Sequence, residues 1–300
     1  PVEPKPKLYL FIAAVIGAAL GLAVVFVLDY MDDSIKDSDE VQNSLHMVVL
    51  GSIPEIPLKS RDAISSPIPV IELYEEDTGG SITSIRKNLV MEAYRILRTN
   101  IHFFHLDNPL QIIMVTSPNP SEGKTTVAAN LAVTLAKLDK RILLMECDMR
   151  KPSVHEALHL DNERGLSYHL ADGIHYKDVL QLTEISNLEV ITSGPKPPNP
   201  SELLASNRMK VLLEELRRDF DMIIIDAPPV LPVADAVVLS SVVDGILLVV
   251  RHGKSTHHSL HQAREILTKA NSHILGVVIN RIPVKENPGY HYYEEGKQED

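Results

Sequence analysis

The stretch IIMVTSPNPSEGKTTVAANLAVTL, residues 112–135, reads as three elements in a row: a short apolar run, a Pro/Ser/Gly loop, and an Ala-rich run of helical composition. Ser121, Glu122, Gly123, Lys124, Thr125 and Thr126 sit at the joint between loop and helix. A helix N-terminus offers free N–H groups and a partial positive charge, which suits phosphate. At this spacing Lys124 reaches the β- and γ-phosphates, and the Thr125 hydroxyl binds Mg²⁺. One position departs from the general phosphate-loop pattern: Pro118 stands where a Gly is usual. The apolar strand before it and the Ala-rich helix after it restore the reading.

Further apolar runs lie at 141–147, 188–192, 222–226, 245–250 and 274–280, with helix-like stretches at 124–138, 201–217, 232–241 and 256–271 between or beside them. Continuous apolar strands alternating with helices imply a parallel sheet buried on both faces. The expected fold is therefore α/β: a doubly wound, mostly parallel sheet of the P-loop type, flanked by helices and preceded by an N-terminal transmembrane helix. Ligands belong at the C-terminal ends of such strands. Two of those ends carry acids. DMIIIDAPP (221–229) places Asp226 at a strand end, and RILLMECDMRKP (141–152) places Glu146 and Asp148 at another. Residues i and i+2 of a strand share a face, so both carboxylates can point to one site, with Arg150 on the same parity for phosphate.

The chain is 44% hydrophobic and 23% charged, as globular proteins are, and its net charge of −11 argues against nucleic acid as a partner. Its one cysteine, Cys147, excludes an internal disulfide. Residues 8–28, LYLFIAAVIGAALGLAVVFVL, contain no charge. As a helix they span about 30 Å, the hydrocarbon thickness of a bilayer. Lys5 and Lys7 before this run favour a cytoplasmic N-terminal flank, whereas a nucleotide site requires the C-terminal part to be cytoplasmic; the chemistry outweighs two lysines. The organisation read from these features is 1–28, membrane helix with a short flank; 29–85, juxtamembrane segment and linker, with a strand in MVVLGSIPEIP (47–57); 86–283, nucleotide domain; and 284–300, tail. The first residue is Pro rather than Met, which suits a piece of a longer chain. His252, His257, His258 and His261 read as a solvated helix start rather than a metal site.

The loop SPNPSEGKT, the element LLMECDMRKP, the strand IIIDAPP, the run PPNPSELLAS (197–206) and GVVIN (276–280) together resemble the bacterial tyrosine kinases of capsule and exopolysaccharide synthesis. The likeness covers roughly residues 88–293. The first residues resemble the C-terminal end of a polysaccharide chain-length determinant, so the whole looks like the fused kind of kinase. The resemblance implies a non-specific protein-tyrosine kinase using ATP and Mg²⁺, with catalysis at Lys124, Glu146, Asp148 and Asp226. It implies Mg²⁺ held by Thr125, Asp148 and Asp226. Glu146 stands where the family usually has an Asp thought to help activate the acceptor hydroxyl, and Ser121 where it often has Gly. Asn280 is open to two readings, a turn former or the residue that reads adenine in related ATPases. Glu92, Arg95 and Arg98 lie on one flank of a helix. By spacing alone that is a solvated face; the resemblance makes it the element that joins subunits into a ring. Tyr290, Tyr292 and Tyr293, set among Glu294 and Glu295 where no core can bury them, become autophosphorylation sites. The implied partners are further copies of the chain, the bacterial plasma membrane, a tyrosine phosphatase and polysaccharide synthesis and export proteins. The competing reading is a membrane-associated ATPase switch like those that position division machinery or partition DNA. Such switches usually carry a Lys where this chain has Asn119, and they lack a tyrosine cluster.

Overall fold

The computed structural model describes residues 6–30, 32–55, 70, 82–105 and 110–283. Two compact units emerge, Pro1–Ser34 and Ile35–Asp300. In the first, the uncharged run lies within a 25-residue helix, α1 (Pro6–Tyr30). Its described side chains face outward, with Phe11 67% and Phe26 73% exposed. Side chains of this helix are described at 10, 11 and 14–26. Over those described positions, which cover only part of the 8–28 run, no helix among the described residues is long and apolar enough to cross a membrane.

The second unit is built on an eight-stranded sheet of order β1-β8-β7-β2-β6-β3-β5-β4. The strands are β1 (Val49–Pro54), β2 (Ile112–Thr116), β3 (Ile142–Glu146), β4 (Leu180–Leu182), β5 (Leu188–Ile191), β6 (Met222–Asp226), β7 (Gly245–Arg251) and β8 (Ile274–Ile282). Every described pairing is parallel except that of β4 with β5. Strands β2, β3 and β6 are buried at every residue. Their side chains divide by parity. Ile112, Met114, Leu143, Met145, Ile223 and Ile225 enter one core, and Ile113, Val115, Ile142, Leu144 and Ile224 the other. That two-sided burial is why these strands read as unbroken apolar runs rather than alternating ones.

The helices are α2 (Ser38–Leu45), α3 (Ile82–His105), α4 (Lys124–Ala136), α5 (Val154–Leu158), α6 (Leu166–Asp172), α7 (Pro200–Leu204), α8 (Asn207–Asp219), α9 (Asp235–Ser240) and α10 (His257–Lys269). Helix α4 is buried on almost every side. Its Ala-rich sequence lets it lie close against the sheet. The single helix expected over 201–217 is two. Ser206 accepts a hydrogen bond from the Met209 N–H and so restarts the chain as α8 after a break. The strand expected in the juxtamembrane segment is part of this sheet. β1 pairs with β8, and Gly276 makes room, since a Cβ there would stand 2.5 Å from the Val48 carbonyl oxygen.

Candidate active site between the P-loop and two strand-end carboxylates

The loop after β2 turns through two left-handed residues, Ser121 (φ +64°) and Gly123 (φ +96°), and delivers Lys124 as the first residue of α4. The chain after β6 clasps the loop's start: Val230 and Leu231 donate their N–H groups to the carbonyls of Ser117 and Pro118, at 2.8 and 3.2 Å. The Glu122 side chain is buried and works inside the scaffold. Its carboxylate accepts from Asn119 N–H at 2.8 Å and from the Ser255 hydroxyl at 2.6 Å. Burial raises its pKa, and these bonds act against that rise. Thr126 is buried in the first turn of α4.

The ends of α4, β6 and the β3 loop converge on Lys124. Its Nζ lies 2.8 Å from Asp148 Oδ2 and 3.3 Å from Asp226 Oδ1. The Thr125 hydroxyl donates to Asp226 Oδ2 at 2.7 Å. Burial acts against the lysine's charge, but the two aspartates more than offset it and its pKa is raised. Asp226 is fully buried, which raises its own pKa, with Lys124 acting against the rise. Among the described residues no three His, Cys, Asp or Glu side chains could hold a metal by themselves. A Mg²⁺ site of this kind takes one or two carboxylates and completes its shell with water and phosphate oxygens. Lysine, hydroxyl and two carboxylates at a helix N-terminus that also carries a glycine with positive φ fit a nucleoside triphosphate with Mg²⁺.

Other expected residues are placed differently. Glu146 is fully buried and accepts backbone N–H bonds from Ser153, from Val154 at 2.6 Å and from Ser193 at 3.1 Å. Burial pushes its pKa up to about 7. Its carboxylate thus ties the β3–α5 loop to the end of β5 and does not line the cavity. Asn280 is also committed. Its Nδ2 donates to the Glu122 carbonyl at 3.0 Å, and its Oδ1 accepts from Arg281 N–H at 2.9 Å. Arg150 does line the cavity, its guanidinium gripping Asp235 at 2.8 and 3.0 Å. On α3, Arg95 pairs with Glu92 at 3.1 Å on the exposed face, while Arg98 donates to the Thr134 carbonyl near the end of α4. The three tyrosines lie outside the described residues.

A cavity of about 670 Å³ opens over Lys124, Thr125, Asp148 and Arg150. Four further polar wall residues were missed in the sequence: Lys151, Ser153, whose hydroxyl is 3.3 Å from that of Thr125, and the arginines Arg251 and Arg281. Both arginines sit at C-terminal strand ends, the positions where a doubly wound sheet binds its ligands, and that rule would have found them.

The AAA domain family matches residues 110–275. The tyrosine-protein kinase YwqD of Bacillus subtilis is 43% identical over 207 residues, which cover 69% of this chain and 87% of that protein. The chain belongs to the bacterial tyrosine-protein kinases. This kinase is also 32% identical to the tyrosine-protein kinase ptk of Acinetobacter johnsonii over 97% of its own length, spanning 39% of that longer protein. The solved kinase domain of the Escherichia coli tyrosine kinase ETK superposes with a TM-score of 0.73 at 31% identity, covering 84% of this kinase and 96% of that domain.

Proposed function

We propose that this chain is a membrane-anchored protein-tyrosine kinase that transfers the γ-phosphoryl group of ATP to Tyr290, Tyr292 and Tyr293 in the tail of a neighbouring copy. In the reaction the bond from the bridging oxygen to the γ-phosphorus breaks, a bond from the tyrosine oxygen forms, and the phenolic proton leaves. Phosphoryl transfer needs mainly positioning and charge stabilisation. The observation that carries the reading is Lys124 held between Asp148 and Asp226 at the head of α4, with Thr125 on Asp226. On this reading the N–H groups of the loop and Lys124 hold the β- and γ-phosphates. Thr125, Asp148 and Asp226 hold Mg²⁺, which when bound neutralises phosphate charge. Arg150, steadied by Asp235, faces the phosphates.

Residues 8–28 would anchor the kinase in the plasma membrane with its second unit in the cytoplasm, where ATP is. Regulation of capsular or exopolysaccharide synthesis and export, with a phosphatase resetting the tail, is the purpose that the resemblance of the sequence motifs implies. The exposed Glu92–Arg95 pair remains available to a neighbouring copy in a ring. From Pro283, the seven to ten residues to the tyrosines reach about 25–35 Å when extended, enough to enter a neighbour's site.

The experiment is a phosphopeptide map of the full chain after incubation with labelled ATP and Mg²⁺. Phosphotyrosine at 290–293, abolished by Lys124→Met, is the expected result. Label absent from the tail, or surviving that substitution, overturns the reading.

A further inference from the structure

The run PPNPSELLAS, residues 197–206, lines no part of the cavity. Ser201 within it nevertheless reaches a cavity residue. Its hydroxyl accepts a guanidinium N–H of Arg150 at 3.0 Å and donates to Asp235 Oδ1. Asp235 is fully buried, and its two oxygens accept from Nε and Nη2 of Arg150 at 2.8 and 3.0 Å. Burial acts to raise the Asp235 pKa, but the bonds from Arg150 and Ser201 prevail and lower it. Three separate pieces of chain meet here: the β3–α5 loop with Arg150, α7 with Ser201, and α9, which begins at Asp235.

A guanidinium has five N–H donors in a fixed fork. The Nε–H and both Nη2–H groups of Arg150 go to Asp235 and Ser201. Among the described residues Nη1 makes no hydrogen bond. The side chain keeps 37% of its surface exposed and lines the cavity, so Nη1 is the edge left for a ligand. The turn that carries Arg150 is closed by the acid that meets Lys124. Asp148 Oδ1 accepts the Lys151 N–H at 3.0 Å, while its Oδ2 lies 2.8 Å from Lys124 Nζ. Arg150 is therefore fixed at both ends, its backbone by Asp148 and its guanidinium by Asp235.

Charge alone does not account for this arrangement. A buried carboxylate on the guanidinium offsets its charge and weakens its pull on an anion. What the pair keeps is direction, because a two-point bond sets the plane of the fork before a ligand arrives. Donors set in advance act where charge develops in a transition state.

We propose that Asp235 and Ser201 are positioning residues of this kinase, which hold Arg150 so that its Nη1 edge meets the phosphoryl group in transfer. The inference rests on the ATP reading above and adds two residues, neither of them in the cavity wall, that act through Arg150.

The test is steady-state transfer from ATP, to tail tyrosine and to water, by the full chain in detergent with Mg²⁺. Titration with ADP counts the folded sites of each variant. Arg150→Ala and Asp235→Asn should each lower kcat per folded site about 10- to 100-fold. Asp235→Asn should not raise KM for ATP, since it returns full charge to Arg150. The double variant Arg150→Ala/Asp235→Asn should match Arg150→Ala within about twofold, because Asp235 acts through that arginine. Ser201→Ala should cost about 3- to 10-fold in kcat, and Ser201→Thr, which keeps the hydroxyl, should restore it. Arg150→Lys should stay slow, since an ammonium has no fork. Losses that multiply in the double variant overturn the proposal, as does a raised KM with kcat intact in Asp235→Asn. A wild type that binds ATP but passes its phosphoryl group to neither acceptor removes the kinase reading and the proposal together. Wild-type transfer with insensitive Asp235 and Ser201 variants removes the positioning role alone.

Discussion

Gly123 and Asn280 occupy each other's space: a Cβ on residue 123 would stand 2.0 Å from Asn280 Nδ2. The phosphate loop and the end of β8 are therefore fitted around the absence of a side chain. Gly123→Ala forces an L-residue into φ +96° and pushes Asn280 off the Glu122 carbonyl. We expect a loss of about 1–3 kcal/mol in stability and of more than tenfold in ATP affinity. Denaturant melts and nucleotide titration measure both. The double variant Gly123→Ala/Asn280→Ala should regain part of the stability, because the collision is relieved.

Ser121 holds a left-handed conformation at φ +64° with its side chain exposed. Non-glycine residues pay about 1–2 kcal/mol there, and glycine gives back about 0.5–1 in unfolded-state entropy. Ser121→Gly should raise stability by about 0.5–1 kcal/mol, and Ser121→Val should lower it. The urea midpoint is the readout, and a lower midpoint for the glycine variant would count against the strain.

Glu146 gives a pH signature. Its pKa is raised by burial to about 7 in the folded protein. A raised carboxylate stabilises the fold at low pH, and that contribution is lost as pH climbs from the unfolded value through about 7. Between pH 5 and 8 the wild type should therefore lose stability relative to Glu146→Gln, by up to about 3 kcal/mol. Parallel pH profiles for the two proteins would show that Glu146 is already ionised throughout that window.

Asp244 is a joint of the fold rather than of the site. Its Oδ2 accepts the N–H groups of Gln111 and Ile112 at 2.9 and 2.7 Å and a guanidinium N–H of Arg217 at 2.9 Å. Burial acts to raise its pKa, but Arg217 and the backbone bonds prevail and lower it. Asp244→Ala leaves two N–H groups at the start of β2 and a guanidinium without this partner. A loss of about 2–4 kcal/mol is expected, with ATP affinity of the folded fraction unchanged. Melts and titration on one preparation separate the two effects.

The strands at 112–116, 142–146, 222–226 and 245–251 were legible because two-sided burial writes itself as continuous apolar sequence. β4 was not: its three residues, Leu180–Leu182, are short and only partly buried, and nothing in their composition separates them from a loop. The break between α7 and α8 depends on one serine side chain turning back to a backbone N–H. In the site, Lys124, Thr125, Asp148 and Asp226 were legible because their spacing and strand-end context define their geometry. The commitments of Glu146 and Asn280 were not. Their backbone partners Ser193 and Glu122 are 47 and 158 residues away, and only the folded chain brings them together.

β1 lies upstream of the nucleotide domain as the sequence divides it, yet it hydrogen-bonds along β8, and Asn100 of α3 donates to its Leu50 carbonyl at 2.8 Å. A kinase piece cut at residue 86 would thus lose its sheet border. β8 would become a raw edge with unpaired backbone groups, and the pocket that buries Leu50 and Ile53 would open to water. Such an edge recruits other chains. Preparations begun there should clump and misreport how many copies the kinase assembles, whereas a start at Ile35 keeps the border sealed.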